Sequence, residues 1–181
     1  MDKKSSRKGL IKPIDKEVHL AEDGFIVSKT DTTGRLTYIN RTFMEVSGFV
    51  EDELLGQQHN IIRHPDMPRG VFKLLWQELK ATREFFGYVK NLCKSGAYYW
   101  VFANVTPDFD ERGNLRGYYS VRRKPAPGAI NAIEVVYEKM REAEAQGDRK
   151  TAPDRSIKIL EDHIAEQNQS YIQYMQSLDA A

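Results

Sequence analysis

The 181 residues carry 27 Lys and Arg against 26 Asp and Glu, a formal net charge of +1, so no general field recruits nucleic acid or anionic lipid. With 40% hydrophobic and 29% charged residues the chain can bury a core and stay in water. No apolar run nears the roughly 20 residues of a membrane span, and no leader pattern is present. The single cysteine, Cys93, excludes an internal disulfide and a multi-Cys zinc site, and suits a reducing cytoplasm.

Residues 1–21 read as a polar cap or tail. Their basic cluster (Lys3, Lys4, Arg7, Lys8) has the character of a solvated arm. Residues 16–23 have room for one or two helical turns. Gly24–Lys29 and Leu36–Ile39 read as a hairpin about the turn Asp31–Gly34. Asn40 then caps a helix with Phe43, Met44 and Val46 on its apolar positions and Gly48 as terminator. A second short helix runs from about Glu51 to Gly56.

Gly56–Pro68, GQQHNIIRHPDMP, concentrates two His, an Arg, an Asp and two Pro around Ile61 and Ile62. The prolines make it a short, stiff stretch that holds polar side chains in place. Pro68 opens a helix over about Arg69–Thr82, with Phe72, Leu75, Trp76 and Leu79 on one face. Trp76 is expected in the core.

Three strands follow: Phe85–Cys93, Ala97–Pro107 and Leu115–Lys124, with turns at Lys94–Gly96 and Asp110–Asn114. In the middle strand Tyr99, Val101, Ala103 and Val105 point one way, and Tyr98, Trp100 and Phe102 the other. Both faces are apolar, so both are expected to be covered. The aromatic face is either core beneath residues 1–21 or 129–145, or a surface that docks a partner or a second copy.

Pro125 and Pro127-Gly128 break the chain before a helix over Ala129–Ala145, striped by Ile130, Ile133, Tyr137 and Met140. A polar linker, Gln146–Pro153, leads to a last helix, Asp154–Leu178. Ile157, Ile164, Tyr171 and Leu178 recur there every seven residues, with Leu160, Gln167 and Tyr174 as the companion set. That heptad pattern suits packing on a partner.

The element order gives an α+β fold: a five-stranded antiparallel sheet with helices on one face, plus a C-terminal helical extension. A pocket between sheet and helices follows from that arrangement. Within it, Asn91 shares the inward face with Val89, and a buried amide needs partners. The Arg63 guanidinium matches paired phosphate oxygens; alternatively, Arg63 and His64 pair with Asp66 to shape the turn. His59 is a candidate metal or haem ligand or a hydrogen-bonded structural residue. His19 and His163 read as surface groups. Asp108, Asp110 and Glu111 form a solvated turn, and no catalytic constellation stands out.

Several segments together carry a family likeness. They are Asn40–Phe43, Val46–Phe49, Gly56–Asn60, Arg63–Pro68, Val89–Asn91, Lys94–Gly96, Tyr99–Val101 and Asn104–Pro107. The chain over residues 22–125 resembles the PAS family, and within it the flavin-binding PAS domain of bacterial aerotaxis receptors. The resemblance implies a PAS sensor domain at 22–125, flanked by a cap at 1–21 and the extension at 126–181. It implies FAD held without a covalent bond between sheet and helices. On that likeness Asn40, Arg63, His64 and Asp66 fall at positions associated with FAD binding, and Asn60 lies in a matching segment. Asn91 falls where light-sensing flavin PAS domains hydrogen-bond the flavin ring. Arg122 falls where those domains place a Gln at the reactive flavin nitrogen, and His59 where they carry their adduct-forming Cys. Phe85 stands where the aerotaxis receptor has Trp.

The expectation is a cytoplasmic redox or oxygen sensor for energy taxis, not an enzyme. It would signal to a chemoreceptor or another signalling protein without inserting in the membrane or binding nucleic acid. A homodimer through the sheet's back or the C-terminal helices is compatible with it. The alternatives are a haem-binding oxygen sensor using His59 and a ligand-free PAS dimerisation module.

Overall fold

The structure is a computed structural model that describes residues 11–179; the basic cluster expected as a solvated tail lies outside them. Five strands form one antiparallel sheet: β1 (Ile26–Thr30), β2 (Leu36–Ile39), β3 (Phe85–Leu92), β4 (Tyr98–Phe109) and β5 (Leu115–Arg123), ordered β2-β1-β5-β4-β3. Between β2 and β3 come α1 (Arg41–Ser47), α2 (Glu51–Leu54), a 3-10 turn at His59–Ile62 and α3 (Arg69–Lys80). After β5 come α4 (Pro127–Ala145), α5 (Ala152–Glu166) and α6 (Tyr171–Asp179).

Local chemistry sets these boundaries. Asn40 Oδ1 accepts from Phe43 N at 3.1 Å and from Val27 N at 3.0 Å, so it caps α1 and ties it to β1. Gly48 closes α1 at φ 73°, a left-handed position that costs a β-carbon residue energy. Phe43, Phe49, Leu54 and Ile62 from the α1–3-10 segment, with Ile26, Tyr99 and Val101 from the sheet, are fully buried between the layers.

Four expectations are corrected. Residues 16–23 form no helix; the chain there runs beside β4, with Val18 N donating to Tyr98 O at 2.7 Å and Tyr98 N to Lys16 O at 2.9 Å. Pro127 does not break the chain but opens α4, because proline's fixed φ suits the first helical turn. Residues 154–178 are not one helix: Asn168 adopts φ 53° and Ser170 caps a separate α6. Nor does the heptad pattern await a partner. Ile157, Leu160, Ile164 and Tyr174 are buried against this chain, and α5 packs on α3 and α4.

The aromatic back of the sheet is therefore core on one side. Trp100 stacks on Tyr137 of α4, and Phe102 packs on Tyr88 and Phe86. The outer edge of β3 is also closed. Tyr171 Oη of α6 donates to Phe86 O at 2.5 Å, Tyr137 Oη to Tyr88 O at 2.8 Å, and His64 N to Lys90 O at 3.4 Å. An edge strand whose carbonyls are taken offers no template for stray pairing.

Candidate functional site

The sheet's inner face and α3 form the two sides of an open cleft. Its floor is Val89, Asn91, Ala103, Val105, Tyr118, Ser120, Arg122, Ser28 and Thr30; its opposite wall is Gln58, His59, Asn60, Ile62, Arg63, Phe72, Leu75, Trp76 and Leu79. The period-2 alternation of the strands aims Ser28, Ser120, Arg122 and Asn91 inward. The apolar face of α3 forms the opposite side rather than sealing a core. Trp76 accordingly lines the cleft, half-buried, edge-on to Tyr118 at 5.3 Å between ring centroids.

At the sheet end three polar groups interlock. Arg122 Nη2 lies 2.8 Å from His59 Nε2, and Arg122 Nη1 donates to Ser28 Oγ at 3.1 Å. Ser28 Oγ is 3.3 Å from the same imidazole nitrogen. A guanidinium only donates, so His59 Nε2 accepts and the ring's hydrogen sits on Nδ1. Burial, reinforced by Arg122, holds His59 well below its ordinary value, so the ring is neutral. Burial also draws Arg122 down to about 10, which leaves it cationic near neutrality. No carboxylate pairs with that guanidinium among the described residues.

Beside this network, Asn91 is 3% exposed and its Nδ2 has no hydrogen-bond partner. Its cross-strand neighbour Tyr99 is fully buried with an equally unpartnered hydroxyl, whose pKa burial pushes up. Leaving a buried donor unpaired costs about 1–3 kcal/mol.

At the α3 end, Arg63 donates from Nη2 to Met67 O at 3.1 Å, and its guanidinium lies 4.0 Å over the ring of Phe72. Burial lowers its pKa.

The structure brings together His59, Asn60, Arg63, Asn91 and Arg122 on the cleft wall. It places Asn40, His64, Asp66 and Phe85 off that wall. Asn40 is spent on the α1 cap and on Phe25 O. His64 is buried beside Tyr98, where burial lowers its pKa against the pull of Asp66. Asp66 pairs with Lys90 Nζ at 2.9 Å and stands 3.4 Å from His64 Nδ1, so the reading of the turn as internally paired on Asp66 is realised, with Lys90 rather than Arg63 as the cation. Phe85 is fully buried against Tyr171 of α6. His163, expected at the surface, is bonded to Tyr174 Oη at 2.9 Å. Cys93 is buried away from the cleft, its thiol pushed up to about 11 by burial. Ser28, Thr30, Gln58, Tyr118 and Ser120 line the cleft unforeseen. Ser28 and Ser120 carried a signal nonetheless: a polar residue on the inward face of an otherwise apolar strand.

This combination, an antiparallel five-stranded sheet closed by short helices over a polar-ended cleft, is the architecture of a class of sensory domain. Residues 36–122 match the family described as the PAS fold, and this region has that fold. The chain is 43% identical over 118 residues to the aerotaxis receptor of Escherichia coli, covering 65% of this chain and 23% of the receptor. It is 28% identical over 97 residues to a nitrogen fixation regulatory protein of Klebsiella pneumoniae, covering 54% of this chain and 20% of that protein. The chain thus spans about a fifth to a quarter of the length of these relatives. Among solved structures, the backbone resembles a light-oxygen-voltage domain studied with a flavin analogue (TM-score 0.54, 19% identity, 64% of this chain and 86% of that one). It also resembles the corresponding domain of a blue-light-activated histidine kinase of Erythrobacter litoralis (TM-score 0.51, 17% identity, 55% of this chain and 94% of that one). These likenesses show the fold. No helix among the described residues is long and apolar enough to cross a membrane.

Proposed function

We propose that the chain is a flavin-based redox sensor of the energy-taxis kind, holding FAD in the cleft between sheet and α3. The observation that carries this is Asn91, a buried amide with an unpartnered Nδ2 on the cleft wall, next to a guanidinium without a carboxylate. A buried donor without an internal acceptor, beside a guanidinium without a counter-charge, calls for a ligand whose edge is rich in acceptor atoms. A flavin's ring edge of carbonyls and imine nitrogens has that character. The flat apolar walls (Val89, Ala103, Val105, Leu75, Leu79) and the rings of Trp76 and Tyr118 suit its tricyclic body.

Arg63 and Asn60 stand at the α3 end, where a guanidinium would bind phosphate oxygens in pairs. When bound, FAD would supply reversible uptake of electrons. Asn91 and Arg122 would sense the resulting change of charge at the ring edge, since both line the cleft. Asn91 belongs to β3, whose outer edge holds Tyr137 of α4 and Tyr171 of α6. A shift of β3 would therefore reach the C-terminal helices, and through them a chemoreceptor or other signalling partner in the cytoplasm. The similarity to the aerotaxis receptor supports this reading.

Haem is less well supported, because the Nε2 lone pair of His59 already faces Arg122 and Ser28. A ligand-free module would leave the Asn91 donor unpaired. The test is an absorption spectrum of the purified protein with and without added FAD, before and after dithionite. A yellow protein bleached on reduction is expected. A colourless protein that takes up no added FAD overturns the reading, and a Soret band would replace it with haem.

A further inference from the structure

The first turn of α3 is a meeting point between the cleft and the C-terminal helices. From the cleft, Arg63 lies 4.0 Å over Phe72. From the other side, Glu144 of α4 accepts from Gly70 N at 2.9 Å and from Ser156 Oγ of α5 at 2.6 Å. One carboxylate thus caps α3 and joins α5 to it, in the position where a helix terminus favours negative charge. Gly70 permits this closeness: a β-carbon there would collide with Ser156 Oγ. Arg141, one turn earlier on α4, donates to Asp66 O at 3.0 Å, so α4 grips both ends of the 66–70 segment. Glu144 also acts on Arg63 through space, opposing the loss of charge that burial would cause.

We propose that Glu144 and the phosphate end of the cleft's ligand compete for this cationic corner, so that a phosphate-bearing ligand and the seating of α4 and α5 are negatively coupled. The inference rests on the flavin reading for the ligand's identity, though the corner itself needs only an anion. Two anions beside one guanidinium and one helix terminus repel each other through space, and each weakens the other's hold. A phosphate that engages Arg63 removes part of the field that seats Glu144 against Gly70 and Ser156. By linkage the effect is reciprocal: a seated Glu144 weakens binding of the phosphate by the same factor. The ring edge would be read at Asn91, and the phosphates at Glu144.

The test titrates the wild-type protein and Glu144→Gln with FAD and with riboflavin, which lacks phosphate, followed by flavin fluorescence. Gln keeps an acceptor for Gly70 and Ser156 and removes only the charge. FAD affinity is expected to rise about 3- to 10-fold, with riboflavin unchanged, and the gain is expected to shrink in high salt. In the wild type, amide exchange over residues 141–156 is expected to be faster with FAD than with riboflavin. An FAD affinity that stays the same or falls while riboflavin holds overturns the proposal and leaves Glu144 as a cap. Equal losses for both ligands would show that α3 has loosened, and overturn it as well. If the wild type takes up neither flavin, the flavin reading fails on its own, and inorganic pyrophosphate becomes the probe. Pyrophosphate should then raise the melting temperature of Glu144→Gln more than that of the wild type, and Arg63→Gln should abolish the difference; equal shifts sink the inference.

Discussion

At the sheet end of the cleft, Arg122, His59 and Ser28 are bonded to one another, with Arg122 and Ser28 buried. At the α3 end, Arg63 is held by one backbone carbonyl and the face of Phe72, with Glu144 acting from outside the PAS region. The two ends carry the same charge for different physical reasons. The first is a preorganised wall that cannot reorient without breaking several buried bonds, so it suits recognition of a ring edge. The second is a single guanidinium whose balance depends on a helix that packs from elsewhere, so it suits coupling.

The largest effect that would break this contrast is at Asn91. Asn91→Leu should cost flavin binding about 1–3 kcal/mol or more, while raising the melting temperature of the ligand-free protein, since it removes an unpaired buried donor. Titration and thermal melts on one preparation check both signs. A stabilised protein that binds flavin normally would remove the sheet end from recognition.

Arg122→Met comes next. Replacing a buried, carboxylate-free guanidinium by an apolar side chain of similar length should leave the ligand-free protein about as stable, within ~1 kcal/mol. Flavin affinity should nonetheless fall about tenfold, equally for FAD and riboflavin, as read by fluorescence titration. Arg63→Gln should instead separate the two ligands, weakening FAD by about 1–2 kcal/mol and riboflavin hardly at all. If Arg63→Gln and Arg122→Met gave the same ligand profile, the two ends would not be distinct.

Tyr137→Phe tests the link from β3 to the helices. It strips the Tyr88 carbonyl of its partner and should cost about 1–2 kcal/mol, or a few degrees of melting temperature.

The smallest effect is a pH slope. The folded pKa of His59 lies well below the unfolded value near 6.5, so below that pH the unfolded chain binds the extra proton. Stability should be fully present above about pH 6.5 and decline as pH falls from there. Part of this slope, followed by denaturant melts from pH 7.5 to 5, should vanish in His59→Gln. His64 shifts the same way and accounts for some of the remainder.

Much of the site was legible because strands obey a period of two. The alternation of Val89 and Asn91, and of Ala103 and Val105, is enough to set these side chains on the inward face. The α3 stripe was equally legible, but its meaning was not. Phe72, Leu75, Trp76 and Leu79 read as one apolar face with Trp76 in the core, and they line the cleft because the inward side chains of the strands opposite are short, Ser28, Ala103 and Ser120 among them. His64 and Asp66 took a different place. Both stand in the polar stretch that flagged the site, but the chain turns at Pro65, and Lys90 on the outer face of β3 takes Asp66 away from the cleft. The last helix failed on a signal that was present: Ser170 and Gln173 form a reciprocal capping pair, which marks a new helix start inside an apparently continuous heptad run.

What the sequence by itself determined was local and periodic: the sheet's five strands, the Asn40 cap, the αL stop at Gly48 and the inward aim of Asn91. Such features depend on backbone geometry and on neighbours within a few residues. The tertiary structure alone decided which long-range partners each polar group meets. It set Arg122 against His59 across 63 residues, Glu144 against Gly70 across 74, and Tyr171 against the edge of β3 across 85. Those pairings follow from how layers stack and which charges are left without water, and no window of sequence contains both members of any of them.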